Sequence, residues 1–304
     1  MTEGILLGLA AALCWGVTDL IAAIASRRVG TLRAASLSLT TSLVVLVSLL
    51  LVTRSELLLD LAIAARIGAV GALAAVSTLA LWAGLRRGPM TVVSPMAATV
   101  GAVTVILAWA ILGEQPRPIQ WLAVPAAAVG CVLASTSSIG GRRPRLIGRG
   151  PLFALVAVVG FAFVAIGLRE PIDDIGWLPT IVVARAANTA VVWLALTTSR
   201  RWFERGSGDV AATNVVEGSP PPRGWTGWRL PALVVGSGVL DALGFCAFAY
   251  GFEVAPVWLV GLLSSFAPAI GVLGGLLLFG ERPARRQWYG AVAIALAIVF
   301  VALG

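Results

Sequence analysis

Apolar residues run through this chain in long blocks separated by short polar breaks. Ten such blocks can be drawn, at 4–25, 34–53, 67–85, 90–112, 119–138, 151–168, 178–198, 230–250, 257–279 and 288–303. Each is roughly 17–25 residues, the length of helix that spans a bilayer. The pattern predicts an all-α polytopic membrane protein with ten transmembrane helices. The first block begins MTEGILLG with no basic residues ahead of it. No small-residue cleavage site follows AALC at Cys14, so it reads as a retained helix and not a signal peptide.

One stretch occurs twice. Gly84–Trp121 reads GLRRGPMTVVSPMAATVGAVTVILAWAILGEQPRPIQW, and Gly251–Trp288 reads GFEVAPVWLVGLLSSFAPAIGVLGGLLLFGERPARRQW. At an ungapped offset of 167, Gly84 lies on Gly251, Pro89 on Pro256, Gly113-Glu114 on Gly280-Glu281, Pro116 on Pro283 and Gln120-Trp121 on Gln287-Trp288. Each copy is a long apolar helix, a GE-x-P turn and the start of another apolar helix. Earlier in the chain the offset is 146, with Gly4 on Gly150, Leu6 on Leu152, Trp15 on Phe161 and Gly30 on Gly176. The change implies about 21 inserted residues, and the polar stretch 199–228, containing GSGD and EGSPPPRG, accounts for them as a flexible loop. The organisation expected is a first five-helix repeat over 1–140 and a second over 150–304. Five crossings per repeat is an odd number, so the two copies should lie inverted in the membrane, with a site near the midplane between them.

Composition agrees. Hydrophobic residues make up 59% of the chain and charged residues 12%, and the mean hydropathy is +0.96. Soluble domains carry about 25% charged residues, so this chain lacks the polar surface to stay dissolved. In a soluble protein the net charge of +8 would suggest nucleic acid; here it reflects Arg-rich loops, and no nucleic-acid partner is expected. All 22 positive side chains are Arg. Seventeen lie in the loops after blocks 1, 3, 5, 7 and 9, four (Arg54, Arg66, Arg117, Arg169) lie on the other side, and Arg185 lies inside block 7. The positive-inside rule puts the odd-numbered loops in the cytoplasm and both termini outside. The three cysteines, Cys14, Cys131 and Cys246, sit in apolar blocks and read as small core residues, without a disulfide or a metal site.

Five-plus-five apolar helices, Trp15-Gly16 in the first helix, and the doubled turns Gly113-Glu114 and Gly280-Glu281 together resemble the drug/metabolite transporter superfamily. Within it the chain is most similar to the EamA-type permeases, over essentially its whole length. The resemblance implies a ten-helix basket around a central cavity that opens alternately to each side. It also implies substrates such as amino acids, nucleotide sugars, sugar phosphates or drugs. It further implies both termini in the cytoplasm, the reverse of the Arg count.

Ionisable side chains inside spanning helices cost about 2.5–3.5 kcal/mol each on insertion scales. Three lie there: Asp19, Arg185 and Asp241. Under the repeat they fall on Ala165, Leu39 and Ala74, so none is duplicated, whereas the glycines, prolines and GE turns are. What is duplicated serves the frame; what is not serves this particular protein. Arg185 can grip a carboxylate or phosphate through its planar fork, or form a structural pair with Asp19 or Asp241. Asp19 and Asp241 can hold a substrate amine or exchange a proton, since burial disfavours a charged carboxylate while a nearby Arg favours it; the plainer role is again pairing with Arg185. Asn188 shares a face with Arg185, Trp15 precedes Asp19 by a turn and Phe245 follows Asp241 by a turn, so all three are candidate cavity residues. Glu114 and Glu281 read as carboxylates complementing a helix N-terminus. Pro95 and Pro268 should kink blocks 4 and 9, and Gly271 with Gly275 permits close helix contact.

No phosphate-binding GxxxxGK[ST] loop occurs, which argues against ATP drive. There is no His, which removes His-based triads, and no cofactor is expected. The reading is therefore a non-enzymatic secondary transporter of the bacterial inner membrane. It moves a small polar metabolite, an amino acid or related compound or a drug, with proton coupling or exchange; one Arg and two Asp suit a zwitterion. The competing reading is a non-transporting scaffold or lipid-handling protein on the same fold. A reporter fused after Gly304 tests the orientation: a C-terminal reporter active only in the cytoplasm sinks the charge-based assignment, and one active only outside sinks the family expectation.

Overall fold

The computed structural model describes residues 1–57, 60–87, 93, 96–135, 149–198, 229–267, 269 and 285–303. Among them the chain is helical, in eleven segments: α1 (Thr2–Val29), α2 (Thr31–Thr53), α3 (Leu61–Arg87), α4 (Val100–Leu112), α5 (Pro118–Trp121), α6 (Ala123–Ser135), α7 (Arg149–Ile175), α8 (Trp177–Thr198), α9 (Arg229–Val254), α10 (Val257–Ser264) and α11 (Arg285–Leu303). Six of these are long and apolar enough to cross a membrane, and Val100–Leu112, Pro118–Leu133 and Trp288–Leu303 are shorter apolar helices. Large apolar side chains such as Leu6, Leu51, Leu152 and Leu243 are exposed on the outside of the bundle, as they must be where the solvent is hydrocarbon. The expected loop 199–228 and residues Pro89, Pro95, Pro268, Gly271, Gly275, Gly280, Glu281 and Pro283 lie outside the described residues.

Glycine sets the breaks between neighbouring helices. Gly30 ends α1 with φ 92° and Gly176 ends α7 with φ 85°, backbone that a side chain rarely adopts. Gly113 closes α4 in the left-handed region, φ 68°. Several boundaries differ from the sequence expectation: α1 runs on to Val29 past block 4–25, and α3 begins at Leu61 ahead of block 67–85. Block 5 is broken at Leu122, between α5 and α6. Block 6 was expected to stop at 168, where the apolar run ends, but α7 continues to Ile175. Its last turns are polar and tied by ion pairs: Arg169 to Asp173 at 3.0 Å, and Arg66 of α3 to Glu170 at 2.5 Å and Asp174 at 3.3 Å. These are largely exposed pairs, each contributing about 0–1 kcal/mol.

The Glu114 carboxylate does complement a helix N-terminus, but not that of the helix following it. It accepts from the backbone N–H groups of Val257 and Trp258, both at 2.9 Å, and so caps α10 from 143 and 144 residues away. For α5, Gln120 does the local work, its side-chain oxygen accepting from the Arg117 N–H at 2.8 Å. Glu253 at the end of α9 likewise accepts from the Trp177 N–H at the start of α8, at 3.0 Å. Arg169 donates to the Phe252 carbonyl beside it.

The helices pack mostly across the middle of the sequence. α3 packs on α7 and α8, α9 on α1 and α2, α2 on α8, α4 on α10 and α7, α1 on α10, and α6 on α11. Lipid is as apolar as leucine, so helices meet here through small residues and hydrogen bonds. A Cβ on Gly71 of α3 would collide with the Ala184 carbonyl oxygen of α8, and a Cβ on Gly238 of α9 with the Ser38 carbonyl oxygen of α2. Beside the second contact, Thr18 donates to the Ser237 carbonyl at 3.2 Å, and the Ser38 and Ser237 hydroxyls lie 3.2 Å apart.

Adding a methyl at either contact should force the helices apart. Gly71→Ala and Gly238→Ala are each expected to destabilise the protein by roughly 1–3 kcal/mol. Gly68→Ala and Gly236→Ala, where a Cβ meets nothing within 4 Å, are expected to be neutral or to stabilise by up to about 1 kcal/mol. Thermal unfolding in detergent compares the four variants, and indistinguishable melting temperatures would remove the packing role of the two contacts.

Candidate functional site

Three short runs carry the site, each on one helical face because residues three and four apart lie above one another. They are Trp15, Thr18 and Asp19 on α1; Arg185 and Asn188 on α8; and Asp241, Phe245 and Phe248 on α9. The packing of α1 and α2 against α9, and of α2 and α3 against α8, turns these faces toward a common cavity. Its open volume, counted as positions for the centre of a water molecule, is about 170 Å³. A single water needs about 10–15 Å³ on that measure, so the cavity has room for a small organic molecule. α3, α4, α7 and α10 complete the wall, with Thr78, Trp82, Thr104, Phe161 and Ser264 among the lining residues.

All six residues singled out from the sequence, Asp19, Arg185, Asp241, Asn188, Trp15 and Phe245, line this one cavity. Arg185 and Asp241 form an ion pair, Nη2 to Oδ2 at 2.8 Å, with the two side chains only 6% and 14% exposed. Their alignment does not make a directed hydrogen bond: Oδ2 of Asp241 and Nε of Arg185 both lack a hydrogen-bond partner. Charge proximity, not hydrogen-bond geometry, holds the pair. The guanidinium also lies over the Phe245 ring, 4.6 Å from its centroid, a cation–π contact of about 0.5–2 kcal/mol. Asn188 is buried, and its carbonyl oxygen has no donor. Asp19 has no cationic partner among the described ion pairs. It is part-exposed to the cavity, with Trp82 of α3 turned toward its carboxylate and Asp241 near enough to interact with it electrostatically. Trp15 and Phe248 pack at 5.0 Å between centroids and form an aromatic wall.

Several lining residues were not picked out from the sequence: Thr18, Thr78, Trp82, Thr104, Ser264 and Ser265. A signal existed for several of them. Ser264 and Ser265 fall on Ala97 and Ala98 and Thr104 on Gly271 at the offset of 167, and Thr18 on Val164 at the offset of 146, so all four are unduplicated polar positions. Cys14, Cys131 and Cys246 are unbridged.

The family model of the EamA-like transporter family matches residues 2–136 and again 148–303. Among curated proteins, a riboflavin transporter of Vibrio cholerae is 36% identical over 80 residues, 26% of this chain and 26% of that protein. An uncharacterized transporter of Pseudomonas aeruginosa is 26% identical over 198 residues, 64% of this chain and 57% of that one. Protein RarD of Streptomyces exfoliatus is 27% identical over 200 residues, 66% of this chain and 55% of its own length. The matches thus span between about a quarter and a little over half of the length of these relatives. A solved crystal structure shares the fold with a TM-score of 0.76 at 18% identity, covering 100% of this chain and 97% of the other. Matched by its family model over both halves and built from apolar helices, the chain is a multi-pass membrane protein that belongs to the EamA-like transporter family, within the drug/metabolite transporter superfamily.

Proposed function

We propose that this protein is a secondary transporter of the bacterial inner membrane. It moves a small polar metabolite, an amino acid or related compound, by alternating access between two inverted five-helix repeats, 1–140 and 150–304. The observation that carries the reading is a single cavity, set among helices of both halves, into which Asp19, Arg185 and Asp241 all face. A charged cavity within an apolar bundle is expensive, and a scaffold gains nothing from it.

The contacts support the inverted repeat. Gly71 and Gly238 stand at the offset of 167 and Ser38 and Ala184 at the offset of 146, so the backbone contact Gly71–Ala184 is the counterpart of Gly238–Ser38. The packing of α3 on α7 and α8 has its counterpart in that of α9 on α1 and α2. Positions matched by the offsets also share the cavity: Asp19 with Ala165, Arg185 with Leu39, Asp241 with Ala74, and Trp15 with Phe161. Such a cavity lies on the axis relating the halves, where rocking of one against the other exposes it to each side in turn. Without a cation of its own, Asp19 is the group suited to proton exchange.

Purified protein in lipid vesicles is expected to take up at least one compound from a broad panel of amino acids and related metabolites, faster with an imposed pH gradient. No uptake from the panel, with or without the gradient, overturns the transporter reading. Arg185→Leu is expected to lower transport at least roughly ten-fold, and full transport by it would remove Arg185 from the site. That variant leaves Asp241 without its counter-charge and should lose up to about 3–5 kcal/mol of stability. Arg185→Leu combined with Asp241→Leu should recover most of the loss, and thermal unfolding in detergent separates this structural effect from the transport defect.

A further inference from the structure

We propose that the substrate is an organic amine carried as a monocation, its ammonium held at Asp19 and a flat apolar body lying along Trp15 and Phe161. The proposal rests on the transporter reading above and, among small polar metabolites, selects a cationic amine over an amino acid.

The charges come first. Two carboxylates and one guanidinium face the cavity. The guanidinium already has a counter-charge and a ring beside it: Asp241 lies 2.8 Å from Nη2, and the Phe245 ring centroid lies 4.6 Å away. It is 5% exposed. A ligand carboxylate would have to displace Asp241 or join it, placing two anions on one buried cation. With Asp241 neutralised, the remaining charge in the cavity is that of Asp19. A single positive charge completes the set.

The hydrogen bonds give a second, independent reason. The hydroxyl protons of Thr18, Thr104, Ser264 and Ser265 are all donated to backbone carbonyls, of Ser237, Val100, Gly261 and Leu262 at 3.2, 2.9, 3.0 and 2.6 Å. Toward a ligand these hydroxyls have only lone pairs left. Asn188 adds a buried carbonyl oxygen without a donor. Against these stand donors on the same wall: Nε of Arg185, which has no partner, and the N–H groups of Asn188 and Trp15. The hydroxyls nonetheless present lone pairs, which an N–H donor can use. A primary ammonium brings three N–H donors and no acceptor; a carboxylate brings only acceptors. The wall beside Asp19 is aromatic, with Trp15, Phe161 and Phe248, which suits a flat apolar body and favours a nearby cation.

Neutrality then couples the amine to a proton. A carboxylate without a counter-cation among apolar helices is favoured by a proton or a cation beside it. When the ammonium arrives, the Asp19 carboxyl releases its proton to the solution that the cavity faces, and the carboxylate pairs with the ammonium. One monocation replaces one proton, and no net charge is moved. The other charged or titratable groups near Asp19 are Arg185 on α8, Asp241 and Cys246 on α9, and Cys14 on its own helix.

Three probes sharing one ring body but differing in charge test this: 2-phenylethylamine, phenylalanine and 3-phenylpropionate, titrated calorimetrically into the purified full-length chain. The amine is expected to bind at least roughly ten-fold more tightly than phenylalanine, with phenylpropionate the weakest. The trimethylated amine, which keeps the charge but loses the N–H donors, should bind at least roughly ten-fold more weakly than the primary amine. Repeating the titration in buffers of different ionisation enthalpy should show proton release on amine binding. Asp19→Asn should abolish that release and the preference for the amine. Phenylalanine or phenylpropionate binding as tightly as the amine overturns the proposal, as does unchanged amine binding by Asp19→Asn or failure of all three probes to bind. The probe comparison on the unaltered protein decides the matter even where Asp19→Asn does not fold. Uptake of some other metabolite by the same preparation would leave the transporter reading standing while the amine proposal falls.

Discussion

Where the surrounding solvent is hydrocarbon, burying leucine against leucine gains little over leaving it in lipid, and helices are held by backbones that come close. In this protein that closeness occurs at Gly71 against Ala184 and Gly238 against Ser38, where there is no room for a side chain. The charged site follows from these contacts. Arg185 is the residue after Ala184, and Asp241 stands three residues, nearly one turn, beyond Gly238. Fixing α8 against α3 and α9 against α2 therefore fixes the heights and faces from which Arg185 and Asp241 project. Their 2.8 Å separation is a consequence of where the glycines let the backbones meet.

A buried ion pair is weak evidence for stability, because removing two charges from solvent offsets most of their attraction. Its presence here, without well-directed hydrogen bonds, points to a task other than holding the bundle together. The pair converts three ionisable groups into one available charge. It also holds the guanidinium over the Phe245 ring, beside the cavity. Stability is supplied elsewhere. At the helix ends, Glu114 caps α10 and Glu253 caps α8. These contacts join elements far apart in sequence, so they restrain one end of the bundle while leaving the cavity lining free of them.

Much of this was legible from the residues. Block lengths located the six long helices, because a span must satisfy its backbone internally and must be apolar over bilayer thickness. Lack of duplication marked Asp19, Arg185 and Asp241, since the frame needs its glycines in both copies but needs a charge in neither. What stayed hidden depends on which distant residues meet. The choice of Asp241 over Asp19 as partner of Arg185 is a matter of ångströms between α8 and α9. Glu114 was readable as a helix-terminal carboxylate, but the identity of α10 as its helix was not, because nothing local links residues 114 and 257. The extension of α7 to Ile175 was missed because an apolar run marks where lipid ends, and a helix with (i, i+4) ion pairs such as Arg169–Asp173 can continue past it. Gly71 and Gly238 were visible at the same offset as the doubled stretch, yet glycine is common in such helices. Only the proximity of a facing carbonyl distinguishes a contact glycine from an idle one such as Gly68.

The same reasoning bears on why a doubled frame carries an undoubled site. If each charge were repeated, the cavity would hold two guanidiniums and four carboxylates, and a single monocation could not neutralise it. Opposite each charge under the repeat stands alanine or leucine: Ala165 for Asp19, Leu39 for Arg185, Ala74 for Asp241. All three line the cavity. Two are small, and none brings a charge or a hydrogen-bonding group. On the proposed reading, one set of positions supplies recognition and its counterpart supplies space. A cavity lined in this way would keep nearly equivalent halves, which rocking motion needs, while presenting a ligand with one unmatched charge.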